Sequence, residues 1–557
     1  MKQKSPMLWI AKHIRRRIPA LALLGLSNIA NAVLGVYFAL GTRDVIDYAT
    51  GADREAFIRA CIIQGCIILG ILLTLTLNRH LRDWLLANLD RDWKKTLLSR
   101  LLHADFSAAS VYHSGELMNR LNNDVRAVDD GLVGALPNVI SMLAKLIAAV
   151  GTLLLMEPGF TVVLFGAGIL VVIFTGFIRR SFKTLQKRVS EEEGKVSSLL
   201  QESLEKLLMI QSLDVSDEIE ARADAALEKR YSAHRRRKNA SLAANTSISI
   251  LYYLAGFAAL LWCSSGLING TMTFGTLTAM TQLVNQLQSP FVGLSGIMPR
   301  YVAMIASAER LMELDDLKSQ PDTTSVDCGK LYDAMQAIGA EDLTFSYDRD
   351  LVLKDASFSI PRGCFAVITG PSGTGKSTLL KLMLCIFRPE KGTVYLQSEN
   401  GRLPLLRSMR RLFAYVPQGN LLLSGTLRDN LTITRPDATE DEIREAVYVS
   451  AMDAYLPQLP QGLDTILGEG GAGLSEGQSQ RLAIARAILS GAPIILLDEG
   501  TSALDADTEA LVLRRIRELP GRTCIAVTHR PAAVELSDWI VEIHNGKIGV
   551  RPSGKNL

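Results

Sequence analysis

The chain has 557 residues, and its 60 Lys and Arg against 57 Asp and Glu leave a formal charge of +3. This balance lacks the basic bias that marks a nucleic-acid-binding protein, so we expect no nucleic-acid partner. Hydrophobic residues make up 48% and charged residues 21%, which excludes a disordered chain. The mean hydropathy of +0.18 is high for a soluble enzyme and low for a wholly membrane-embedded protein. It indicates one apolar part and one soluble part.

The first half of the chain contains six apolar runs long enough to cross a bilayer as helices. They follow an amphipathic N-terminal elbow segment at 1–17 and lie in a predicted transmembrane domain over 18–313. A bundle of buried helices in a soluble protein is the alternative. It is disfavoured because the run PGFTVVLFGAGILVVIFTGFI has no polar face. The predicted spans cover about 18–40, 57–78, 136–156, 159–178, 243–268 and 273–297.

Lys and Arg are concentrated in the N-terminal segment and in the connections between spans two and three and between spans four and five. The other connections are nearly free of positive charge. Because positive connections stay in the cytoplasm, we predict a multi-pass protein with both termini cytoplasmic. The two positive connections are about 55–65 residues long and have helical composition. We therefore expect spans two to five to continue as long helices into the cytoplasm.

The apolar spans stop near residue 300, and the polar stretch that follows predicts a linker over 314–337. From 338 to 557, short apolar runs alternate with helical patterns, which is typical of an α/β domain.

The sequence GPSGTGKST at 370–378 fits the phosphate-binding pattern G-x-x-x-x-G-K-[ST], with an apolar run before it and a helical pattern after it. Its glycines let backbone N–H groups surround phosphate oxygens, and the helix N-terminus adds a positive dipole end. Lys376 is expected to reach the β- and γ-phosphates, and the Ser377 hydroxyl to ligate Mg²⁺. The expected ligands are therefore ATP and Mg²⁺.

A second motif, PIILLDEG at 493–500, predicts a buried strand that ends in a carboxylate. Asp498 at its end is expected to hold Mg²⁺ beside the phosphates. Glu499 follows at once and is expected to polarise an attacking water.

The stretch LSEGQSQR at 474–481 resembles the signature of ATP-binding-cassette (ABC) transporters. Four more motifs of the cassette follow the family order. In the first half, SGELMNRLNNDV from Ser114 resembles the first intracellular loop of exporter-type half-transporters. The resemblance covers essentially the whole chain. It implies an all-α six-helix transmembrane domain with long cytoplasmic helical extensions, plus an α/β P-loop NTPase ATP-binding cassette. The four motifs are Phe345-Ser-Tyr347, Tyr415-Val-Pro-Gln418, Thr501-Ser-Ala-Leu-Asp505 and Val527-Thr-His529.

The resemblance also implies roles for single residues. Tyr347 would stack on adenine, and His529 would contact the γ-phosphate. Ser377, Gln418 and Asp498 would attend Mg²⁺ directly or through water, and Glu499 would act as the base or position the water. The residues implied to contact the nucleotide are Gly370, Ser372, Gly373, Thr374, Gly375, Lys376, Ser377, Thr378, Ser475, Gly477, Gln478 and Asp505.

The chain holds one P-loop and one signature. In the family the signature faces the ATP on the opposite cassette, so one chain does not complete a site. The resemblance implies a dimer that works by alternating access, formed with a second copy of the chain or with a homologous half-transporter.

Three residues depart from the family pattern. Glu476 stands where the signature usually has Gly, Ser479 replaces a usual basic residue, and Gly500 replaces Ala or Pro. A carboxylate beside a γ-phosphate should disfavour closure of the cassettes unless it points away. The altered signature leaves a heterodimer open.

The translocation pathway gives few signals. Lys145 lies in the middle of span three, where a charged side chain usually faces an internal cavity. The alternatives are that the side chain snorkels to the membrane interface or forms hydrogen bonds between helices. The polar residues that share these alternatives are Asn28, Asn31, Gln282, Asn285, Gln286 and Gln288.

We expect an ATP-driven exporter of a lipid, amphipathic drug or peptide in a cell membrane, the inner or plasma membrane of a bacterium. The alternatives are an importer built on the same fold and an ATP-gated channel or regulatory subunit. The presence of both Glu499 and His529 argues against a channel, because gating needs no rapid hydrolysis.

Overall fold

A computed structural model describes residues 5–317, 326–347, 350–419, 422–468 and 473–553. Within these ranges, the side chains of 163, 165–183, 244–245, 248, 251–252, 255, 288–296 and 298 lie outside the description. The chain forms two compact units. The first consists of 1–102 and 112–316, and the second of 103–111 and 317–557.

The first unit is helical. The first five predicted spans lie within long helices, and the sixth begins at the residue that caps the helix Phe274–Asp315. Several of these helices continue well past the apolar run. The helices are α1 (Pro6–His13), α2 (Ile18–Thr50), α3 (Arg54–His103), α4 (Phe106–Ala109), α5 (Ser114–Asn119), α6 (Val125–Asp129), α7 (Leu136–Met156), α8 (Pro158–Glu205), α9 (Leu207–Ser212), α10 (Ser216–Ile268) and α11 (Phe274–Asp315). The short helix α4 belongs to the second unit.

Two of the helices are much longer than a membrane span requires. The α3 helix has 50 residues and α10 has 53, which at 1.5 Å per residue is about 75–80 Å, more than twice a hydrocarbon core of about 30 Å. Three stretches within the described residues are long and apolar enough to cross a membrane, namely Arg15–Thr50, Arg54–His103 and Ser114–Met156. The fold is therefore a helical transmembrane domain whose long helices continue past their apolar runs.

Small and aliphatic side chains pack the spans together. Ala39 on α2, Leu153 on α7 and Met280 on α11 are fully buried in one cluster. Many other aliphatic residues of the spans are exposed, such as Leu155 at 88%, as expected for a surface that faces lipid.

The second unit has the predicted α/β architecture. A six-stranded sheet has the order β12-β11-β3-β10-β9-β6, and a four-stranded antiparallel sheet has the order β2-β1-β4-β5. In the larger sheet, β6, β9, β10, β3 and β11 run parallel, and β12 is antiparallel to β11. The strands are β1 (Met335–Tyr347), β2 (Asp350–Pro361), β3 (Phe365–Thr369), β4 (Lys391–Ser398), β5 (Gly401–Pro404), β6 (Phe413–Val416), β7 (Gly425–Thr426), β8 (Ile466–Leu467), β9 (Ile494–Asp498), β10 (Thr523–Val527), β11 (Trp539–His544) and β12 (Lys547–Pro552).

Helices cover the larger sheet, and its central strands are apolar on both faces because two hydrophobic cores pack against it. Val367, Ile495 and Leu497 enter one core, and Ile368 and Leu496 enter the other. Ligands bind at the carboxyl ends of such strands, which are the ends that carry the predicted motifs. The helices are α12 (Cys328–Ala334), α13 (Lys376–Met383), α14 (Leu427–Thr432), α15 (Glu440–Val449), α16 (Glu476–Leu489), α17 (Ala506–Arg517) and α18 (Pro531–Leu536).

The region of the predicted linker contains more regular structure than its polar composition indicates. Part of it, 318–325, lies outside the described residues. Asp327 caps α12 by accepting a hydrogen bond from the backbone N–H of Lys330, and β1 begins at Met335, before the predicted start of the cassette at 338. Tyr332 is buried, and its hydroxyl is satisfied by hydrogen bonds with Gly521 O and Thr523 Oγ1, both at 2.8 Å.

The segment 103–111 packs within the second unit. The Phe106 ring lies edge-on to Phe387 with the ring centroids 5.9 Å apart. Arg407 donates to the carbonyl of His103 at 3.3 Å, and Arg388 pairs with Asp105 at 3.9 Å. These nine residues thus share an aromatic and ionic contact surface with the cassette.

Candidate nucleotide-binding and hydrolysis site

The loop between β3 and α13 has a backbone that only glycine can adopt at two positions. Gly370 has φ +146°, and a Cβ there would lie 2.4 Å from Ile543 O. Gly375 has φ +95°, and a Cβ there would lie 2.5 Å from Val352 Cγ1. The buried Lys376 donates from Nζ to Gly370 O and Pro371 O, both at 2.8 Å. The predicted P-loop residues therefore form one closed turn at the N-terminus of a helix.

The end of β9 brings the predicted metal ligands together. Asp498 is only 2% exposed, and its Oδ1 accepts a hydrogen bond from Ser377 Oγ at 2.8 Å. Its Oδ2 accepts one from the Tyr415 hydroxyl at 2.9 Å. Burial, together with the neighbouring Asp498 charge, raises the pKa of Tyr415 well above its ordinary value. Tyr415 therefore stays protonated and remains a donor to the carboxylate.

Glu499 and Gln418 also meet. The Gln418 Nε2 donates to Glu499 Oε2 at 2.7 Å. Glu499 has φ +50°, an uncommon left-handed conformation for a non-glycine residue, and its N–H bonds with Val527 O at 3.0 Å. The backbone therefore turns at Glu499, directly after β9 ends at Asp498.

The departure at Gly500 has a packing reason. A Cβ at Gly500 would lie 2.8 Å from Val416 Cγ1. Val416 ends β6, two residues before Gln418. The missing side chain therefore lets the turn after β9 pack closely against the strand that leads to Gln418.

The segment after β10 carries His529, which is exposed. The next residue, Arg530, donates to Leu504 O at 2.8 Å and to Ser502 O at 2.5 Å. Asp505 caps α17 by accepting a hydrogen bond from the N–H of Thr508 at 2.9 Å. This bond is the main reason that the pKa of Asp505 lies below its ordinary value. The motif at 501–505, the D-loop, is thus held by Arg530, the residue next to His529.

Tyr347 lies beside the P-loop helix. Its hydroxyl is 3.3 Å from Thr378 Oγ1, and its ring is edge-on to Phe345 and Phe387 with centroids 5.0 and 5.4 Å away. The Tyr347 side chain remains 42% exposed, so its ring is accessible for stacking on a base.

The signature forms a capped helix start. Ser475 Oγ accepts the N–H of Gln478 at 3.2 Å, and Gln478 Oε1 accepts the N–H of Ser475 at 2.8 Å. A Cβ at Gly477 would lie 2.9 Å from Ala503 O, so the helix start packs closely against the D-loop. Glu476 is exposed in the first turn, where the helix dipole favours a carboxylate.

The predicted residues therefore divide into two groups. Hydrogen bonds join Ser377 to Asp498, Gln418 to Glu499, and Tyr347 to Thr378. Within the described part of the chain, no hydrogen bond or ring contact joins the signature residues to the P-loop. The P-loop group holds Gly370, Ser372, Gly373, Thr374, Gly375, Lys376, Ser377 and Thr378, and the signature group holds Ser475, Gly477 and Gln478.

Three further residues support the site, although no sequence motif indicates a role for them. Tyr415 holds Asp498, and Arg530 holds the D-loop. Gln480 donates to Ser502 Oγ at 3.1 Å and accepts the N–H of Ala503 at 2.9 Å. Gln480 is 5% exposed, and a polar residue on the apolar face of α16 was the available signal. At the departure Ser479, also buried, the hydroxyl has no hydrogen-bond partner among the described residues.

The donor set fits Mg²⁺. The available atoms are the Ser377 hydroxyl, the Asp498 carboxylate and the Gln418 amide oxygen, all hard oxygen ligands of the kind that Mg²⁺ prefers. Ser377 and Asp498 already lie within hydrogen-bonding distance of each other.

Three polar residues of the spans make helix–helix contacts. Asn31 donates to Thr74 Oγ1 at 2.9 Å, and Gln286 donates to Gly35 O at 2.8 Å. Asn28 accepts from Asn78 at 3.2 Å. Of the two alternatives for these residues, the structure shows hydrogen bonding between helices. The Oε1 of Gln282 is buried without a hydrogen-bond partner in the described part of the chain, and Gln288 lies outside the described side chains.

Comparison with known proteins agrees with the fold and the motifs. The family model for the ABC transporter transmembrane region matches 20–291, and the ABC transporter model matches 353–502. An ATP-dependent lipid A-core flippase of Vibrio cholerae is 27% identical over 97% of this chain and 93% of its own length. The mitochondrial iron-sulfur clusters transporter atm1 of Aspergillus fumigatus is 28% identical over 97% of this chain and 75% of its own length.

A solved structure of a bacterial Atm1-family ABC exporter with ATP bound is similar in fold, with a TM-score of 0.78 and 24% identity. The likeness covers 96% of this chain and 94% of that one. Together with the two family models, these similarities account for both halves of the chain. The chain belongs to the ABC transporter family as an exporter-type half-transporter, a multi-pass membrane protein that couples ATP hydrolysis to transport.

Proposed function

We propose that two cassettes bind two ATP molecules between them, and that this closure drives alternating access in the membrane domains. The observation that carries the proposal is the division of the site. Hydrogen bonds join Ser377 of the P-loop to Asp498, and Gln418 to Glu499. The signature residue Gln480 bonds with Ser502 of the D-loop instead. A second chain supplies the signature for the first chain's P-loop. That chain is another copy of this one or a homologous half-transporter.

The residues of one chain then take distinct roles. Lys376 and the P-loop N–H groups bind the β- and γ-phosphates, and the Tyr347 ring stacks on adenine. Ser377 and Asp498 hold Mg²⁺, with Gln418 directly or through water, and the ion offsets the negative charge of the phosphates. His529 donates to the γ-phosphate. From the partner chain, the signature N-terminus adds N–H groups toward the same phosphate.

Hydrolysis needs a positioned water and a proton acceptor. Glu499 accepts a hydrogen bond from the water that attacks the γ-phosphorus, and takes its proton or orients it. The Gln418 amide fixes the Glu499 carboxylate through the 2.7 Å hydrogen bond. If the Gln418 amide oxygen also attends Mg²⁺, Gln418 links the arrangement of the nucleotide to the orientation of the base.

We propose a lipid or another amphiphile as the transported molecule, with an amphipathic drug or peptide as the wider class. The similarity to lipid A-core flippases supports it. The observed pairing of Asn31 and Gln286 with neighbouring helices also supports it, because these amides are already satisfied within the bundle. The chain is proposed to lie in the inner or plasma membrane of a bacterium, with both termini in the cytoplasm.

The test uses the full chain with Glu499→Gln, which keeps an amide oxygen as the acceptor for Gln418. ATP and Mg²⁺ should trap this variant as a dimer with nucleotide retained after gel filtration, and its ATPase rate should fall by about 100-fold or more. Lys376→Ala is the matched control and should neither retain ATP nor form the trapped dimer. Wild-type turnover in Glu499→Gln would refute the role of Glu499. Monomers that hydrolyse ATP would refute the paired site.

A further inference from the structure

The N-terminal helix α1 is docked on the ends of two long helices. Trp9 is 6% exposed and stacks on Trp93 of α3 with the ring centroids 5.0 Å apart. Its Nε1 donates to Asp315 Oδ2 at 2.9 Å, and Arg100 lies 3.3 Å from the other oxygen of Asp315. Asp315 is the last residue of α11, immediately before the region that leads to the cassette. The position of α1 is therefore coupled to the end of the sixth span.

Two residues next to α1 mark the level of the membrane interface. Arg17 donates to Asp92 at 2.8 Å and lies over the Trp84 ring, 5.3 Å from its centroid. Trp84 is 41% exposed, and exposed Trp residues are enriched where a bilayer meets water. The first span begins one residue after Arg17, and its Leu23 and Leu26 are exposed at 46% and 63%. The change from charged to exposed aliphatic residues occurs at this point.

Three cations next to this level point outward. Lys12, Arg15 and Arg16 are exposed, and among the described residues none of them has an acidic partner within ion-pair distance. Leu8, one turn before Lys12, is 73% exposed. Leu8 and Lys12 are one turn apart on α1, and Arg15 and Arg16 follow shortly after its end at His13, so the exposed leucine and the three cations lie close together along the chain. A surface with one apolar side chain and several cations fits the boundary between acyl chains and phosphates.

We propose that Lys12, Arg15 and Arg16 bind the phosphate groups of anionic lipids in the cytoplasmic leaflet, and that α1 transmits this binding to the end of α11 through Trp9 and Asp315. The proposal rests on the cytoplasmic orientation of the N-terminus, and it assigns to the chain a lipid site separate from the transport pathway. An open row of cations beside lipid-facing leucines favours a bilayer surface over a soluble anion, which needs an enclosing pocket.

The binding test uses the full chain in nanodiscs of phosphatidylcholine with or without phosphatidylglycerol. Bound phosphatidylglycerol is measured by native mass spectrometry without nucleotide, so the result does not depend on the ATPase mechanism. Each cation near an anionic surface should contribute about fivefold to binding, so the triple variant Lys12→Gln, Arg15→Gln, Arg16→Gln should lose on the order of 100-fold. Excess inorganic phosphate should not displace the lipid.

The matched control removes three exposed cations of the helical extensions, Lys95→Gln, Arg222→Gln and Lys229→Gln. It has the same change in net charge and should bind phosphatidylglycerol like the wild type. Arg15→Lys with Arg16→Lys should also retain binding, because the charge is kept. Equal lipid binding by the Gln triple and the control would overturn the site. Displacement by inorganic phosphate would overturn the assignment to a bilayer lipid.

Transmission to α11 is tested with Trp9→Phe. This change keeps an aromatic ring on Trp93 but removes the Nε1 donor to Asp315. Lipid binding should stay within about twofold of the wild type, while the change in ATPase rate caused by phosphatidylglycerol should disappear. An unchanged ATPase response in Trp9→Phe would refute the transmission and leave the lipid site standing.

Discussion

The hydroxyl of Tyr415 provides a direct test of how the site is supported. It donates at 2.9 Å to Asp498 Oδ2, while Ser377 donates to the other oxygen of the same carboxylate. Tyr415→Phe removes only this donor and keeps the ring. A buried carboxylate, 2% exposed, then loses one of its two side-chain hydrogen bonds.

The expected size follows from the charge on the acceptor. A hydrogen bond to a charged group contributes about 1.5–3 kcal/mol, and since Ser377 still donates we expect a loss near 2 kcal/mol. For a domain of this size each kcal/mol shifts the melting temperature by about 2–4 °C, so the cassette should melt roughly 4–8 °C lower. A partner of a metal ligand typically changes metal affinity by about tenfold or more. The Mg²⁺ concentration for half-maximal ATPase should therefore rise about tenfold.

The assays are calorimetric melting of the full chain and an Mg²⁺ titration of ATPase activity at saturating nucleotide. Tyr448→Phe is the matched control, because the Tyr448 side chain is 53% exposed. It should change the stability by less than about 0.5 kcal/mol. If both variants melt at the same temperature and need the same Mg²⁺ concentration, the hydroxyl of Tyr415 does not support Asp498.

Two further substitutions should change stability in the direction opposite to the one usual for their residue type. Replacing Gly by Ala in a helix normally stabilises it by about 1 kcal/mol. Gly477→Ala, however, would put a Cβ 2.9 Å from Ala503 O, so we expect a lower melting temperature and a lower ATPase activity. Gly194→Ala, whose Cβ meets nothing within 4 Å, is the control and should not destabilise. Burial, with a smaller contribution from the Asp90 charge, raises the pKa of Asp129 to about 8. Between about pH 4 and 8 the unfolded chain has lost a proton that the folded chain keeps, so stability falls as pH rises. Asp129→Asn should flatten that slope in melting experiments, and an unchanged slope would contradict it.

The features predictable from the sequence were those coded over short distances along the chain. An apolar run reports its own length, and the spacing of Gly370, Gly375 and Lys376 reports a phosphate-binding turn whatever surrounds it. The strand that ends in Asp498 and Glu499 is equally local, because its apolar residues are consecutive. These signals were enough to indicate the two halves and the chemistry of one of them.

The contacts that complete the site come from residues far apart in sequence. Tyr415 and Asp498 are 83 positions apart, and no local pattern pairs them. The same holds for the membrane half, where amphipathic periodicity does not say whether Asn31 faces a cavity or Thr74. The start of β1 at Met335 was also hidden, because the cap at Asp327 and the buried Tyr332 lie in a polar stretch that resembles a flexible connection.

The grouping of 103–111 with the cassette has a practical consequence for anyone who dissects this protein. A fragment that starts at 317 would leave behind the phenylalanine that covers the edge of Phe387, along with the anionic partner of Arg388. Such a fragment would expose hydrophobic surface around Phe387 and would therefore self-associate more readily in solution. Adding the missing nine residues as a synthetic peptide should restore the solubility of the fragment. An isolated cassette is therefore better designed to include 103–111 than to begin at 317.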